Sequence, residues 1–151
     1  SARQIRDVNG MQNVESFSGA KIALLCGEKI VTYLRDKKPS IPFPDHWDLA
    51  GGGREGNETP EQCVLRETEE EFGLKLEASR IEWRRRYPNA TTPGEHAYFM
   101  VARISQAEIS AISFGDEGQF WRLMRIQDFL DHPNAVPQLQ SRLACYMSQL
   151  G

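Results

Sequence analysis

The stretch GGREGNETPEQCVLRETEEEFGL, residues 52–74, joins a glycine-rich start to a well-marked helix. Thr59 is a suitable N-cap residue, Pro60 fits the first helical position, and Gln62 completes a capping box with Thr59. Gly73 fits the left-handed conformation that commonly ends a helix. The stretch therefore predicts a glycine loop followed by a helix that begins at Pro60 and ends before Gly73.

The predicted helix carries a run of negative charge, because four of the five residues 67–71 are glutamates. At 100° per residue, Glu67, Glu70 and Glu71 share one face of the helix, whereas Glu69 points away from them. Another face is expected to pack on a sheet and holds Val64, Leu65, Thr68 and Phe72. On that face, the hydroxyl of Thr68 can bond the helix carbonyl four residues earlier.

Two explanations account for the three converging carboxylates. Arg66 precedes Glu70 by four residues and can pair with it, as expected of a solvated helix face. Alternatively, the carboxylates hold a hard divalent cation such as Mg²⁺ or Mn²⁺, to which the glycine loop adds a backbone carbonyl. The glutamate run taken alone favours the solvated face, since exposed acidic helices are common.

The spacing across the whole stretch instead favours a site for a divalent cation over a solvated helix face. It follows the pattern G-x5-E-x7-R-E-U-x-E-E-x-G-U, where U is aliphatic, at Gly52, Glu58, Arg66, Glu67, Glu70, Glu71, Gly73 and Leu74. Thr68 replaces the first aliphatic residue, and Ala50 replaces the usual proline in the preceding WDLAGG. The stretch resembles the signature box of the Nudix hydrolase family, and about nine specified positions make a chance match improbable.

The resemblance implies an α/β fold, a Nudix-type α/β/α sandwich with a mixed sheet, built as a single domain over residues 1–151. We expect residues 1–18 to form a loosely ordered N-terminal segment. The implied reaction is hydrolysis of a pyrophosphate bond in a nucleoside diphosphate linked to another group, with Mg²⁺ or Mn²⁺ as cofactor. A nucleoside triphosphate or modified nucleotide suits the compact chain. The alternatives are ADP-ribose or an NDP-sugar as substrate, and a catalytically silent nucleotide-binding module.

By position, the resemblance assigns metal binding to one carbonyl of the glycine pair and to three box carboxylates: Gly51 or Gly52, Glu67, Glu70 and Glu71. Glu58 and Arg66 match a pair that links the loop to the helix and orients the carboxylates. Gly73 matches the glycine that ends the helix.

A later stretch, GDEGQFW, adds one more carboxylate. It resembles the G-x-E-G-Q segment of the family's 8-oxo-dGTP pyrophosphatases, in which the glutamate reaches the metal, and this places Glu117 there. The implied catalytic set is then Glu67, Glu70, Arg66 and Glu117, with Glu67 and Glu117 as the two candidates for the general base. A solvated turn glutamate at this position, or Asp116 in its place, is the alternative.

Four further residues are expected to bind substrate. Arg35 ends the first predicted hairpin, where an arginine of the family often meets phosphate. Arg84 and Arg86 share one face of the predicted strand RIEWRRRYP and can bind phosphate bidentately, with a solvated strand face as the alternative. Phe43 lies in a proline-rich loop, where it either stacks on a base or packs the loop, and Trp47 is expected to pack.

The rest of the chain alternates between strand and helix patterns. KIALLC and KIVTYLR predict a hairpin around Gly27, HWDLA a short strand, and EHAYFMVARI and GQFWRLM two further strands. ISQAEISAI is either a loop or a short helix, IQDFLDH a helical turn, and residues 137–150 an amphipathic helix. Strands on both sides of two helices predict a mixed sheet with helices on its faces.

Composition limits the remaining function classes. The 151 residues carry a net charge of −3 and three cysteines without metal-type spacing, which indicates reduced thiols in a cytoplasmic protein. No apolar run is long enough to span a membrane. An acidic balance argues against a stable nucleic-acid complex, so the expected partner is a small nucleotide, and the resemblance allows a homodimer.

Overall fold

The computed structural model describes residues 16–150. Of the N-terminal segment that we expected to be loosely ordered, residues 1–15 lie outside the described residues. Phe17 is buried, and its ring meets the Tyr98 ring edge-on with the centroids 5.6 Å apart. The predicted α/β fold with a mixed sheet is confirmed.

The described chain forms one sheet of seven strands: β1 (Gly19–Cys26), β2 (Lys29–Leu34), β3 (Trp47–Asp48), β4 (Ala50–Gly53), β5 (Ile81–Pro88), β6 (His96–Arg103) and β7 (Phe120–Arg125). Its helices are α1 (Pro60–Phe72), α2 (Gln106–Ser110), α3 (Ile126–Asp131) and α4 (Pro137–Leu150), and Ala78–Arg80 form a 3₁₀ turn. The ambiguous stretch ISQAEISAI therefore contains a short helix. Among the described residues, no helix has the length and apolar character needed to cross a membrane.

Strand β1 occupies the centre of the sheet. The strand order is β3–β2–β1–β6–β5, and β4 additionally pairs with β1 while β7 pairs with β2. The β1–β6 pair is parallel, and the remaining pairs are antiparallel. Because β1 contacts β2, β4 and β6 at once, it brings the glycine segment and the later strands to one place.

The two faces of the sheet carry two separate hydrophobic clusters. Alternate residues of β1 point to opposite faces, so Ile22 and Leu24 pack on the side of α1, whereas Ala23 and Leu25 pack on the side of α3 and α4. Strand β6 divides in the same way, with Met100 on the α1 side and the next residue on the other. Helices on both faces of a mixed sheet give the predicted α/β/α arrangement.

The structure corrects the expectation of a glycine loop before α1, since residues 50–53 form strand β4. Gly51 lies opposite Lys21 in this pairing and has a φ of 128°. A Cβ at Gly51 would lie 2.2 Å from the backbone oxygen of Ala20. Only glycine therefore lets β4 approach the central strand so closely.

Helix α1 begins and ends as the sequence predicts. The hydroxyl of Thr59 accepts from the Gln62 amide N–H at 3.1 Å, and the Gln62 side chain accepts from the Thr59 N–H at 2.9 Å. Gly73 adopts a φ of 68° and donates its N–H to the Glu69 carbonyl at 2.9 Å. The capping box and the glycine stop fix the rotation of the helix, and with it the direction of each carboxylate.

One hydrogen bond that is open to a side chain of α1 is not made. Thr68 is fully buried, but its hydroxyl has no hydrogen-bond partner among the described residues, so it does not bond back to the helix carbonyl. The position lies within the hydrophobic side of the helix, between α1 and the sheet. A buried hydroxyl without a partner is destabilising because it loses its contact with water and gains nothing in return.

We expect Thr68→Val to raise the free energy of unfolding by about 1 kcal/mol, because the substitution removes the unsatisfied hydroxyl and keeps the shape. Thr32 is the matched control, since it is also fully buried but donates its hydroxyl to the Arg122 carbonyl at 2.7 Å. Thr32→Val should lower the same quantity. Denaturant titration measures both, and a Thr68→Val protein less stable than the parent would contradict the assignment.

Candidate active site

The Arg66 side chain joins the segment before α1 to the helix itself. Its Nε and Nη2 atoms donate to the two carboxylate oxygens of Glu58, at 2.5 and 3.1 Å. Nη2 also donates to the Gly53 carbonyl at 2.9 Å, and Nη1 donates to Glu67 at 3.2 Å and to Glu70 at 3.1 Å. Glu58 and Arg66 therefore form the predicted pair, and this guanidinium also holds two of the predicted site carboxylates.

Three carboxylates converge beside β4. One carboxylate oxygen each of Glu67, Glu71 and Glu117 lies within 4.8 Å of the other two. Glu71 is 6% exposed and accepts from the Gly51 N–H at 2.9 Å. Gly52 lies against Glu67, since a Cβ on this glycine would be only 2.6 Å from a Glu67 carboxylate oxygen. The glycine pair and Glu67, Glu71 and Glu117 thus share one location.

Burial raises the pKa of two of these carboxylates, Glu67 and Glu71. Burial raises the pKa of Glu71 from 4.5 to about 8, and the neighbouring Glu67 adds to the rise, while Lys21 and the Gly51 N–H oppose it. Burial also raises the pKa of Glu67, against the opposing charge of Arg66. Two acids held close together at a raised pKa are a high-energy arrangement that a cation would relieve.

The donor set fits a divalent cation. Three carboxylates beside the backbone oxygens of a glycine pair are the hard oxygen ligands that Mg²⁺ and Mn²⁺ prefer. The raised pKa values of Glu67 and Glu71 point the same way, since positive charge at this position would restore the ionised forms.

The loop that carries Glu117 is anchored on the last turn of α1. The Gly115 N–H donates to the Glu71 carbonyl at 2.9 Å, and the Ser113 N–H donates to the Phe72 carbonyl at 3.0 Å. These bonds satisfy helix carbonyls that have no partner within the helix. A Cβ at Gly115 would lie 2.8 Å from the Glu70 carbonyl oxygen, so a glycine permits this close approach.

An ionic cluster around the buried Asp48 lies beside β4, and the sequence reasoning missed most of it. Asp48 Oδ2 accepts from Lys21 Nζ at 3.0 Å, from Tyr33 Oη at 3.0 Å and from Arg35 Nη1 at 2.7 Å. Although burial opposes ionisation of Asp48, Lys21 and Arg35 lower its pKa below the usual value. Lys21 Nζ also donates to the Gly51 carbonyl at 3.1 Å, which ties the cluster to β4.

A signal for this cluster was present in the sequence. Lys21 is a lone charge within the strand GAKIALLC, and Asp48 is a lone charge in HWDLA. Each lies in a run that otherwise reads as buried, and buried charges are paired as a rule. Two isolated opposite charges in two buried strands therefore predict an ion pair between those strands.

A cavity of about 270 Å³ opens over the carboxylates. Acidic and cationic groups line it together, namely Glu67, Glu71 and Glu117 with Lys21 and Arg35. Opposite charges around one cavity suit a ligand that brings both a cation and an anionic group. The arrangement can therefore hold a metal-bound polyphosphate.

Arg35 reaches the cavity, but the three other residues expected to bind substrate do not line it. Phe43 packs against His46, with ring centroids 5.7 Å apart. Arg84 and Arg86 do share one strand face, and Arg84 pairs with Glu61 of α1 at 2.5 Å. Arg86 donates to the Ser16 carbonyl at 3.3 Å. Phe43, Arg84 and Arg86 therefore contact other residues of the protein and do not line the cavity over the carboxylates.

The acidic residues near the cluster separate into different environments. The Glu70 side chain is 57% exposed and pairs with Arg66, outside the group of three carboxylates. Glu69 is exposed on the far side of the helix, as the helical wheel indicates. Asp116 does not belong to the group within the described chain, whereas Glu117 does. Trp47 is buried and packs against Phe120, as expected.

Comparisons with known proteins agree with this arrangement. The model of a family described as NUDIX domain matches residues 18–144 of the chain. The nucleoside triphosphatase NudI of Enterobacter sp. (strain 638) is 45% identical over 40 residues, which make up 26% of this chain and 28% of that protein.

Solved structures share the fold at low sequence identity. A MutT/nudix family protein from Enterococcus faecalis superposes with a TM-score of 0.61 at 24% identity, over 83% of this chain and 51% of that one. A bifunctional NMN adenylyltransferase/ADP ribose pyrophosphatase from Francisella tularensis, complexed with AMP and a Mn ion, gives a TM-score of 0.69 at 16% identity. That match covers 99% of this chain and 47% of the other, so the chain spans about half the length of both proteins.

We expect the stability of the metal-free protein to depend on pH through Glu71. The folded protein keeps a proton on Glu71 up to about pH 8, whereas the unfolded chain releases it near 4.5. Stability from this group is therefore complete below pH 4.5 and falls as the pH rises towards 8. In EDTA, the free energy of unfolding should fall less between pH 5 and 8 for Glu71→Gln than for the parent. Parallel curves for the two proteins would refute the raised pKa.

A second prediction concerns the Glu117 loop. Gly115→Ala should displace the loop from α1 and lower kcat by about tenfold or more, because a misplaced catalytic group is costly. If the change acts through Glu117, adding it to Glu117→Gln should cost little further activity. Steady-state kinetics of the two single variants and the double variant measure this, and fully additive losses would show that Gly115 acts elsewhere.

Proposed function

Since this chain belongs to the Nudix family, we propose that it is a metal-dependent pyrophosphohydrolase of a nucleoside diphosphate linked to another group. The observation that carries the proposal is the convergence of Glu67, Glu71 and Glu117 on one cavity, beside the Gly51–Gly52 pair and opposite Arg35. The family match over residues 18–144 supports the same class of reaction.

We assign the metal site to a carbonyl of Gly51 or Gly52 and to four carboxylates: Glu67, Glu70, Glu71 and Glu117. When bound there, Mg²⁺ or Mn²⁺ would neutralise phosphate oxygens and acidify a water molecule. The Mn ion in the Francisella tularensis structure supports a divalent ion of this kind. Glu70 joins the set because it lies on the same helix face as Glu67, and its exposed side chain is free to rotate away from Arg66.

The residues of the chain orient the reactants and take up the proton. Arg66 holds Glu67 against Gly53 and Glu58, and thereby fixes the direction of that carboxylate. The attacking water loses its proton to Glu67 or Glu117. The raised pKa of Glu67 supports the first, because a base titrating closer to neutral pH accepts a proton more readily.

The cationic side of the cavity receives the anionic substrate. Arg35 has one guanidinium nitrogen on Asp48 and Nε on the Pro42 carbonyl at 2.9 Å, which, as far as residues 16–150 are concerned, leaves Nη2 to donate to a phosphate oxygen. Lys21 is held by Asp48 and contributes positive charge behind the glycines. We propose Arg35 as the phosphate-binding arginine.

A nucleoside triphosphate or modified nucleotide is the proposed substrate. The similarity to the nucleoside triphosphatase NudI supports it, although that match is short. An ADP-ribose or NDP-sugar substrate is the second candidate, supported by the shared fold of the ADP ribose pyrophosphatase. A silent binding module is disfavoured because every box carboxylate is present. The three unpaired cysteines support the proposed cytoplasmic location, and a homodimer remains part of the proposal.

We predict that Glu67→Gln, Glu70→Gln and Glu71→Gln each lower kcat for nucleoside triphosphate hydrolysis by at least about 100-fold, because each removes charge that stabilises the transition state. Glu69→Gln is the matched control on the same helix and should stay within about twofold of the parent, since its carboxylate is exposed outside the site. Phosphate and pyrophosphate release with Mg²⁺ or Mn²⁺ measures the rates.

Two outcomes would contradict this assignment. Unchanged turnover in Glu70→Gln would show that Glu70 pairs with Arg66 but does not bind the metal. Absence of hydrolysis by the parent across triphosphates, ADP-ribose and NDP-sugars, with either metal, would favour the binding module.

A further inference from the structure

A second cavity, of about 520 Å³, lies between the sheet and helix α4. It shares four lining residues with the cavity over the carboxylates: Lys21, Arg35, Gly52 and Gly53. A ligand whose phosphates occupy the first cavity would therefore extend into the second. Under the proposed function, the part that enters the second cavity is the nucleoside.

Arg142 of α4 lines this second cavity and is only 8% exposed. One of its nitrogens donates to the Pro88 carbonyl at 2.9 Å, and its guanidinium stacks over the Tyr87 ring at 4.8 Å. Within residues 16–150, no carboxylate lies within ion-pair distance of it. Burial lowers the pKa of Arg142, although Tyr87 opposes the change. Pro88 supplies the one hydrogen-bond acceptor that the described residues give this guanidinium, so its other N–H groups can donate to a ligand in the cavity.

The position of Arg142 matches the far end of a bound nucleoside. Gly53 pairs with Gly19, Gly19 with Ala97, and Ala97 with Tyr87, so three strand spacings separate Gly53 from Tyr87. At about 4.8 Å each, these spacings amount to roughly 14 Å across the sheet. The base is the part of a nucleotide farthest from its phosphates, and it would therefore meet Arg142.

Gln138 lies one helical turn before Arg142 on the same face of α4, and it lines the same cavity. It is half-buried, and its side chain has no hydrogen-bond partner within the described chain. Its amide carries both a donor and an acceptor and can turn to present either, whereas an arginine can only donate. Arg142 therefore favours ligands that present a hydrogen-bond acceptor to it, and the Gln138 amide can rotate to bond the neighbouring donor or acceptor of the same ligand.

We propose that Arg142, assisted by Gln138, makes this protein select nucleotides with a keto base, namely guanine, thymine or uracil. Such a base presents a carbonyl oxygen next to a ring N–H, which matches the arginine donor and the glutamine acceptor. Adenine and cytosine present an amino group at the equivalent position, which opposes the arginine with a second donor. Glu95 lines the same cavity and disfavours an additional anionic group there. This inference rests on the proposed function.

The test compares kcat/KM for dTTP and dGTP with kcat/KM for dCTP and dATP in Mg²⁺. The parent should prefer the keto bases by about tenfold or more, because a site built to donate rejects a ligand that presents another donor at that position. Arg142→Met should reduce the preference to within about threefold, and Arg142→Lys, which still donates, should retain part of it. Gln138→Leu, at a half-exposed position, should weaken binding of the keto bases without affecting folding.

Arg125→Met is the matched control, because this arginine is exposed on β7 outside both cavities named here. It should leave both activity and preference unchanged. The same preference in Arg142→Met as in the parent, or a parent that prefers amino bases, would overturn the inference.

A binding measurement separates this inference from the proposed function. Calorimetric titration of the metal-free protein with dTMP, dGMP, dCMP and dAMP should show tighter binding of the first two, and Arg142→Met should remove the difference. Keto-selective binding without hydrolysis of any nucleotide would refute the proposed function and keep the inference. Hydrolysis that ignores the base would refute the inference alone, and absence of both would refute both.

Discussion

The Arg66 guanidinium, spread over Glu58, the Gly53 carbonyl and two carboxylates of α1, is the contact on which the proposed catalytic site depends. It ties the segment after β4 to the helix, so the glycines and the acidic face keep a fixed separation. The interaction also offsets the repulsion among carboxylates, which would otherwise spread them apart. A bidentate arginine suits this task because its planar fork binds one carboxylate in a single orientation.

A second set of charges supports the site from within the sheet. Asp48 is buried and accepts from Lys21, Tyr33 and Arg35, so its charge is compensated by hydrogen bonds and by two cations. Because Lys21 also bonds the Gly51 carbonyl, the cluster sets the position of β4 relative to the central strand. Removing one partner from such a buried cluster leaves an unpaired charge, which costs more than the pair itself contributes. The fold and the site are therefore stabilised by the same residues.

Much of the site followed from local spacing. The capping box and the glycine stop predicted the bounds of α1, and the helical wheel predicted a face shared by Glu67 and Glu71, because each of these features depends on neighbouring residues. The same reasoning failed for the hydroxyl of Thr68, since the helix offered an acceptor that the side chain does not use. It also could not place Phe43 or Arg84, because contacts between distant elements decide where those side chains lie.

The sequence by itself determined the family, the helix with its caps and the converging acidic face, because these are encoded within one segment of 23 residues. The resemblance named Glu117 as a further carboxylate but left Asp116 or a solvated glutamate as alternatives, and the bonds of its loop to the end of α1 bring Glu117 to that face. Only the tertiary structure decided that Lys21 and Asp48 meet beside β4, and that Arg142 of α4 lines the second cavity. The physical reason is that strand pairing and helix packing, which depend on the whole chain, set these long-range distances.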